Sequence, residues 1–255
     1  MKDLELALAL ADAADEISLA RFKALDLAVE TKPDRTPVTD ADRSVETKIR
    51  ELVSQLAPSD YVIGEEFENS GSGNRAWIVD PIDGTANFLR GLPIWATLIA
   101  LRVDSVLTAS VVSAPALGRR WWASKGEGAF TKNVDGSVRQ IKVSSVSQLA
   151  DSYISYNSIQ QWQRIGKAKN IEKLSEQVWR IRAFGDFLSY MYVAEGAIDA
   201  ASEPDLKIYD IAALVPIVEE AGGRFTDLSG ELTPDSSTVL ATNGLIHEAI
   251  RAALN

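Results

Sequence analysis

The stretch Trp77-Ile78-Val79-Asp80-Pro81-Ile82-Asp83-Gly84-Thr85-Ala86-Asn87-Phe88 decides how this chain reads. Its first three residues are β-formers and predict an apolar strand. Two carboxylates follow, three residues apart across a proline. Proline fixes φ and ends the strand, so Asp80 and Asp83 turn toward one point at its end. Gly84 and Thr85 come next and open a helix, where free amides and the helix dipole favour an anion. A hard cation such as Mg²⁺ takes oxygen ligands of this kind and keeps some of its own waters. Metal and phosphate sites side by side point to phosphoryl chemistry. A plain strand–turn–helix with aspartate as N-cap accounts for one of the two acids. It leaves the other unexplained.

Further acids lie upstream. Residues 2 to about 29, rich in Ala and Leu, predict one long helix. A polar loop punctuated by Pro33 and Pro37 leads to Thr39, which fits an N-cap with Asp40 and Asp42 in the first turn. The helix that follows runs to about Leu56, with Val45, Ile49, Leu52 and Val53 on one face. Asp42 reads equally well as a dipole partner or as a metal ligand. A short strand at residues 61–63 ends in Gly64-Glu65-Glu66, and the Gly/Ser-rich loop 68–75 leads into the opening stretch. Two strands therefore end in carboxylates.

Downstream, residues 94–103 and 106–113 predict buried strands joined by a tight turn at Asp104-Ser105. Residues 119–124 predict another strand, followed by a hairpin at residues 125–128. After about Val143, strands and helices alternate: strands at 153–156, 178–182, 197–201, 224–227 and 239–242, and helices at 186–195, 207–221 and the C-terminus. The expected architecture is layered α/β, with an N-terminal α+β half over residues 1–142 and an α/β half over 143–255.

Composition limits the chemistry. There is no cysteine, so disulfides, thiolate sites and a Cys nucleophile are excluded. The one histidine, His247, falls in the terminal helix and reads as structural or surface, which argues against His-based catalysis. The net charge of −10 repels nucleic acid, and Arg119-Arg120 is the only cluster of basic residues. No apolar run is long enough to span a membrane. The N-terminal residues, interrupted by acids and lacking a basic region, do not resemble a signal peptide. The expected compartment is the cytoplasm.

Five elements fall in order: Asp40-Ala41-Asp42, Gly64-Glu65-Glu66, Asp80-Pro-Ile-Asp83-Gly-Thr85, Gly185-Asp186 and Tyr209-Asp210. With Asp-Pro-Ile-Asp-Gly-Thr-x-Asn-Phe at the centre, and an aromatic before the last aspartate ahead of Glu219-Glu220-Ala-Gly-Gly, the set resembles the inositol monophosphatase family. The likeness runs from about residue 10 to the C-terminus. It implies an αβαβα sandwich, a Mg²⁺-dependent phosphomonoesterase, and a homodimer. Within the family the chain is most similar to histidinol-phosphate phosphatases of the actinobacterial type. That likeness rests on Asn87-Phe-Leu-Arg90-Gly-Leu-Pro93-Ile-Trp95, Val112-Ser-Ala-Pro115, Gly185-Asp186-Phe187 and Glu203-Pro204-Asp205-Leu206.

The resemblance implies the following roles. Glu65, Asp80 and the Ile82 carbonyl hold a first metal. Asp80, Asp83 and Asp210 hold a second. A third, looser Mg²⁺ leans on Glu65 and, through water, Asp42. Thr85 sits against the attacking water with Asp42 as its partner, and the Gly84 and Thr85 amides receive the phosphate. Glu66 faces solvent. Glu203, seven residues before the last metal aspartate, contacts the substrate's organic part, and Asp186 adds a second carboxylate there. Lys32 lies in a loop of ambiguous register, and Arg182 pairs with an acid near the site or at a subunit interface.

A phosphate monoester is dianionic, so its hydrolysis needs neutralised charge, an aligned nucleophile and a stabilised leaving oxygen. Two metals about 4 Å apart supply all three. Histidinol phosphate carries an ammonium and an imidazole, and two acids suit it better than a polyol. The alternatives are an inositol monophosphatase or broad-specificity sugar phosphatase and, more remotely, a catalytically silent regulator that binds metal or phosphates.

Overall fold

The first helix is shorter than its composition predicts. In the computed structural model, which describes residues 2–33, 36–69 and 71–255, α1 spans Asp3–Arg21. Phe22 leaves the helix to pack against Phe88 and Trp95, and Lys23 turns into the left-handed region at φ 64°. The chain then forms a small antiparallel pair, β1 (Val29–Thr31) with β2 (Pro37–Thr39), where the sequence predicts only a loop. Asp34, Arg35 and Ser70, which belong to the two predicted loops, lie outside the described residues.

α2 (Asp40–Leu56) starts where predicted. Thr39 Oγ1 accepts from the amides of Ala41 and Asp42, and Asp42 Oδ2 accepts from the Thr39 amide, forming a reciprocal capping box. β3 (Tyr61–Gly64) and β4 (Arg75–Asp83) run parallel. α3 (Thr85–Leu89) precedes an antiparallel run of β5 (Ala96–Val103), β6 (Val106–Ala114), β7 (Arg119–Ser124), β8 (Gly128–Lys132) and β9 (Val138–Gln140). These seven strands form one sheet in the order β3-β4-β5-β6-β7-β8-β9.

Pro81 does not end β4. The strand pairs Asp80 with Leu98 and Asp83 with Ala96, so one extra residue is accommodated between them. This is a β-bulge, the device that re-aims side chains at the rim of a sheet. The missing proline amide costs no ladder bond in the bulge, and Thr97 Oγ1 donates to the Pro81 carbonyl at 2.8 Å.

The second half contains β10 (Tyr153–Ser155), α4 (Ile159–Arg164), α5 (Ala168–Ser175), β11 (Arg180–Arg182), α6 (Asp186–Ala194), β12 (Ala200–Pro204), α7 (Ile208–Ile211), α8 (Leu214–Glu220), β13 (Arg224–Thr226), β14 (Thr238–Thr242) and α9 (His247–Leu254). Its five-stranded sheet has the order β11-β10-β12-β14-β13. The helix predicted over 207–221 is broken at Ala212-Ala213 into α7 and α8, the strand predicted over 197–201 lies at Ala200–Pro204, and β9, α4 and α5 are elements that the sequence reading does not include.

Three apolar clusters define the layers. Leu6, Leu10, Val45 and Ile49 of α1 and α2 pack on Trp77, Val79 and Ile99 of the large sheet. The opposite face of that sheet, with Ile78, Leu98 and Trp121, packs on Phe187, Met191 and Val193 of α6 and Ile217 of α8. The same cluster continues into Val239 and Ala241 of the small sheet. The far face of the small sheet, with Ile154 and Leu240, meets Trp162, Ile171 and Ile250 of α4, α5 and α9. The order is layered, as the alternation of strands and helices predicts, and is the αβαβα sandwich that the family resemblance implies. α6 is apolar on nearly every side because it is covered by sheets above and below. The 142/143 division falls between β9 and β10.

Candidate active site

The bulge in β4, the end of β3, the start of α2 and the first turn of α7 bring their acids to one place. One carboxylate oxygen each from Asp80, Asp83 and Asp210 lies within 4.8 Å of the other two. Asp80 is buried, and its Oδ1 accepts from the Ile82 amide at 3.0 Å. Asp83 Oδ2 accepts from the Phe187 amide at 2.7 Å, which ties β4 to the start of α6. Asp210 Oδ2 accepts from the Lys207 amide at 2.7 Å, which fixes it in the first turn of α7. Glu65, Asp83, Asp186, Glu203, Tyr209 and Asp210 all line one cleft of about 380 Å³.

The acids perturb one another. Burial, reinforced by Glu65 and Asp83, pushes the Asp80 carboxyl well above its ordinary value. Burial with Asp186 and Asp210 does the same for Asp83. Asp210 is pushed up to about 7, mainly by burial and against the stabilising Lys207 amide. A cluster of crowded, water-poor carboxylate oxygens, with no sulfur or imidazole among them, fits a hard divalent cation and little else.

Asp42 is wholly buried at the start of α2. Its Oδ2 accepts from Thr39, while Thr85 Oγ1 stands 3.3 Å from its Oδ1 and 3.0 Å from the Ile82 carbonyl. The aspartate is thus held from two sides. It closes the capping box with one oxygen and faces Thr85 with the other. Gly84 precedes α3 at φ 85°, and a Cβ there would stand 2.9 Å from the Ile94 carbonyl, so only glycine fits.

Glu66 corrects an expectation. Its side chain is nearly inaccessible and receives Lys32 Nζ at 2.6 Å, and the same ammonium donates to Glu65 Oε1 at 2.7 Å. Burial still raises Glu66 to about 7, against the pull of Lys32. Glu46, which the sequence reading passed over, supports the turn from below. It is fully buried, accepts from the Glu66 amide at 2.7 Å, and is paired with Arg50. A Cβ on Gly64 would collide with the Glu46 carboxylate, which explains the glycine before Glu65. The i,i+4 spacing of Glu46 and Arg50 was the one available signal.

Asp186 and Glu203 border the same cleft. Asn87 Nδ2 donates to Asp186 Oδ2 at 2.7 Å and to the Ile94 carbonyl at 2.9 Å, which links the opening motif to α6. Burial raises Asp186 to about 6, opposed by Asn87. Glu203 is buried on β12, is pushed up by that burial, and accepts from Tyr190 at 2.8 Å. Trp95 is core, packed with Phe22 and Phe88. Within the described residues Arg182 donates to the Ile181 carbonyl at 2.8 Å. His247 is buried between Thr226 and Thr242, far in sequence and function from these acids. The basic pair is also structural, Arg119 meeting Glu195 and Arg120 meeting Asp12 and Asp15.

A bulged strand presenting acids beside a glycine turn, in an αβαβα frame, defines a metal-dependent phosphatase. The chain belongs to the inositol monophosphatase family, whose profile matches residues 2–255. It is 53% identical over 255 residues to the histidinol-phosphatase of Mycobacterium tuberculosis, covering 99% of this chain and 98% of that one. It is 49% identical over 259 residues to the histidinol-phosphatase of Streptomyces coelicolor, covering 100% and 97%. Among solved structures, the IMPase of Thermotoga maritima superposes with a TM-score of 0.89 at 32% identity, covering 100% of this chain and 97% of that one. The chain is a phosphoric monoester hydrolase.

Proposed function

We propose that the substrate is histidinol phosphate, released as histidinol and phosphate in histidine biosynthesis. The observation that carries this reading is the acidic wall of the cleft. Asp186 and Glu203 line it together with Glu65, Asp83 and Asp210. They outnumber the cations on the same lining, Lys207 and the Arg164 that pairs with Asp205. A wall of this sign favours an organic part bearing an ammonium and an imidazole over a neutral polyol. The two curated relatives named above, at about half identity over nearly their full lengths, support the same choice.

Two to three Mg²⁺ ions would suit the donor set: Glu65, Asp80 and the Ile82 carbonyl would hold one, and Asp80, Asp83 and Asp210 a second. Glu65 and, through water, Asp42 would hold a looser third. When bound, they supply charge neutralisation and Lewis acidity for in-line attack by water on phosphorus. The protein's own part is positional. The Thr85 hydroxyl, held between Asp42 and the Ile82 carbonyl, orients the attacking water. The Gly84 and Thr85 amides receive the phosphate oxygens, while Asp186 and Glu203 hold the organic part. The enzyme acts as a homodimer in the cytoplasm, and no described helix is long and apolar enough to cross a membrane.

Phosphate release from a panel of histidinol phosphate, inositol phosphates, fructose bisphosphate and phosphoadenosine phosphate tests the reading. A higher kcat/KM for inositol 1-phosphate than for histidinol phosphate replaces it with the inositol monophosphatase alternative.

A further inference from the structure

The cleft contains buried acceptors with no donor among the described residues. Gln161 of α4 lines it, and its Oε1 is buried without a hydrogen-bond partner among the described residues. Glu203 Oε2 borders the same cleft in the same state, the other oxygen being taken by Tyr190. Buried polar atoms are normally paired, so two bare acceptors on one cleft mark where donors arrive with a ligand.

The placement of Gln161 is built into the fold. Its neighbour Trp162 is fully buried among Ile154, Ile171 and Leu174, and donates Nε1 to the Tyr156 carbonyl at 2.8 Å. That anchor turns the opposite face of α4 to the cleft, where Gln161 and Arg164, three residues apart, both line it. Arg164 is engaged by Asp205 at 2.6 Å. Of five non-glycine described residues at positive φ, three line this cleft: Asn157 at 56°, Asp186 at 48° and Asp205 at 73°. All are Asn or Asp, which enter this region most readily and suit the tight turns that border the cleft.

We propose that Gln161 is a specificity-determining residue whose Oε1, together with Glu203 Oε2, accepts N–H hydrogens from the nitrogen-bearing part of the phosphomonoester. The inference rests on histidinol phosphate being the substrate, and it adds α4 to the recognition surface. A phosphomonoester without N–H groups gives these two acceptors fewer or weaker donors. It gains correspondingly less from Gln161.

The test is steady-state kinetics of the full chain with Mg²⁺, for wild type, Gln161→Met, Gln161→Ala and Gln161→Glu, on histidinol phosphate and on nitrogen-free β-glycerol phosphate. Gln161→Met preserves shape and removes the acceptor. It should raise KM for histidinol phosphate about tenfold, the effect of one lost hydrogen bond, with kcat changed far less. Its loss on β-glycerol phosphate should be several-fold smaller. Gln161→Ala should repeat this pattern, and Gln161→Glu, which retains an acceptor, should recover most of the affinity. Thermal unfolding of each variant separates a folding defect from a binding defect. Equal losses on both substrates, or an unchanged KM in Met and Ala variants that fold, overturn the inference and leave the substrate reading standing. A wild type with no preference for histidinol phosphate overturns both.

Discussion

Lys32 Nζ lies 2.7 Å from Glu65 Oε1 and holds Glu66 with the same ammonium. The lysine thus places a positive charge on one of the acids assigned to metal, and a cation arriving at Glu65 has to share or displace it. Lys32→Met should lower the unfolding temperature of the metal-free protein, because two crowded carboxylates lose their partner. It should also tighten Mg²⁺ binding by about threefold, since one competing charge is gone. Calorimetric Mg²⁺ titration of the two proteins checks both the sign and the size. Weaker binding in the variant contradicts competition.

Asp83 joins the carboxylate cluster of Asp80 and Asp210 to α6 through the Phe187 amide. Asp83→Asn keeps the shape and the acceptor for that amide but removes the charge. Turnover should fall by at least about a hundredfold on every phosphomonoester, the scale of losing one preorganised electrostatic contact. A loss confined to one substrate in phosphate-release assays argues against a role in chemistry.

Asp80, Asp83 and Asp210 repel one another in the metal-free protein. Mg²⁺ at a hundred times its dissociation constant should add about 2.7 kcal/mol. For a chain of this size that raises the unfolding temperature by about 5–10 °C. Scanning calorimetry with Mg²⁺ and with chelator measures the difference, and no shift contradicts Mg²⁺ binding by these acids.

His247 carries a separate pH dependence. Burial, reinforced by Arg224, lowers its folded pKa from 6.5 to about 4. The unfolded chain therefore binds the proton more readily than the folded one. The stability contributed is fully present above about pH 6.5 and is lost as pH falls toward 4, amounting to about 3 kcal/mol. His247→Gln can still bond to Thr226 or Thr242 and does not titrate, so its stability should lack this part of the acid slope. Denaturant unfolding between pH 4 and 7 compares the two.

The sequence made most of this frame legible, for identifiable reasons. Thr39 and Asp42 form a local capping box, so the start of α2 could be read without knowing the fold. Val45, Ile49 and Val53 announce their buried face by period alone. The acids at 42, 65, 80, 83 and 210 stood out because carboxylates at strand ends and helix starts are unusual company. What stayed hidden depends on distant partners. Glu66 reads as a solvent residue until Lys32, 34 positions away, is placed beside it. α1 ends early because Phe22 finds Phe88 and Trp95, which no local propensity reports. Gln161 sits in a polar stretch without apolar alternation, where only the burial of Trp162 shows which way α4 faces.

The central claim is that acids on the cleft wall select a cationic phosphomonoester while the Asp80–Asp83–Asp210 cluster performs hydrolysis. It is tested most directly by kcat/KM for histidinol phosphate against inositol 1-phosphate, in wild type and Asp186→Ala, with Mg²⁺ present. The account predicts a clear preference for histidinol phosphate in the wild type that shrinks by about tenfold in the variant, the cost of one charge-assisted contact. A wild type that prefers inositol 1-phosphate, or a preference that survives Asp186→Ala unchanged, contradicts it.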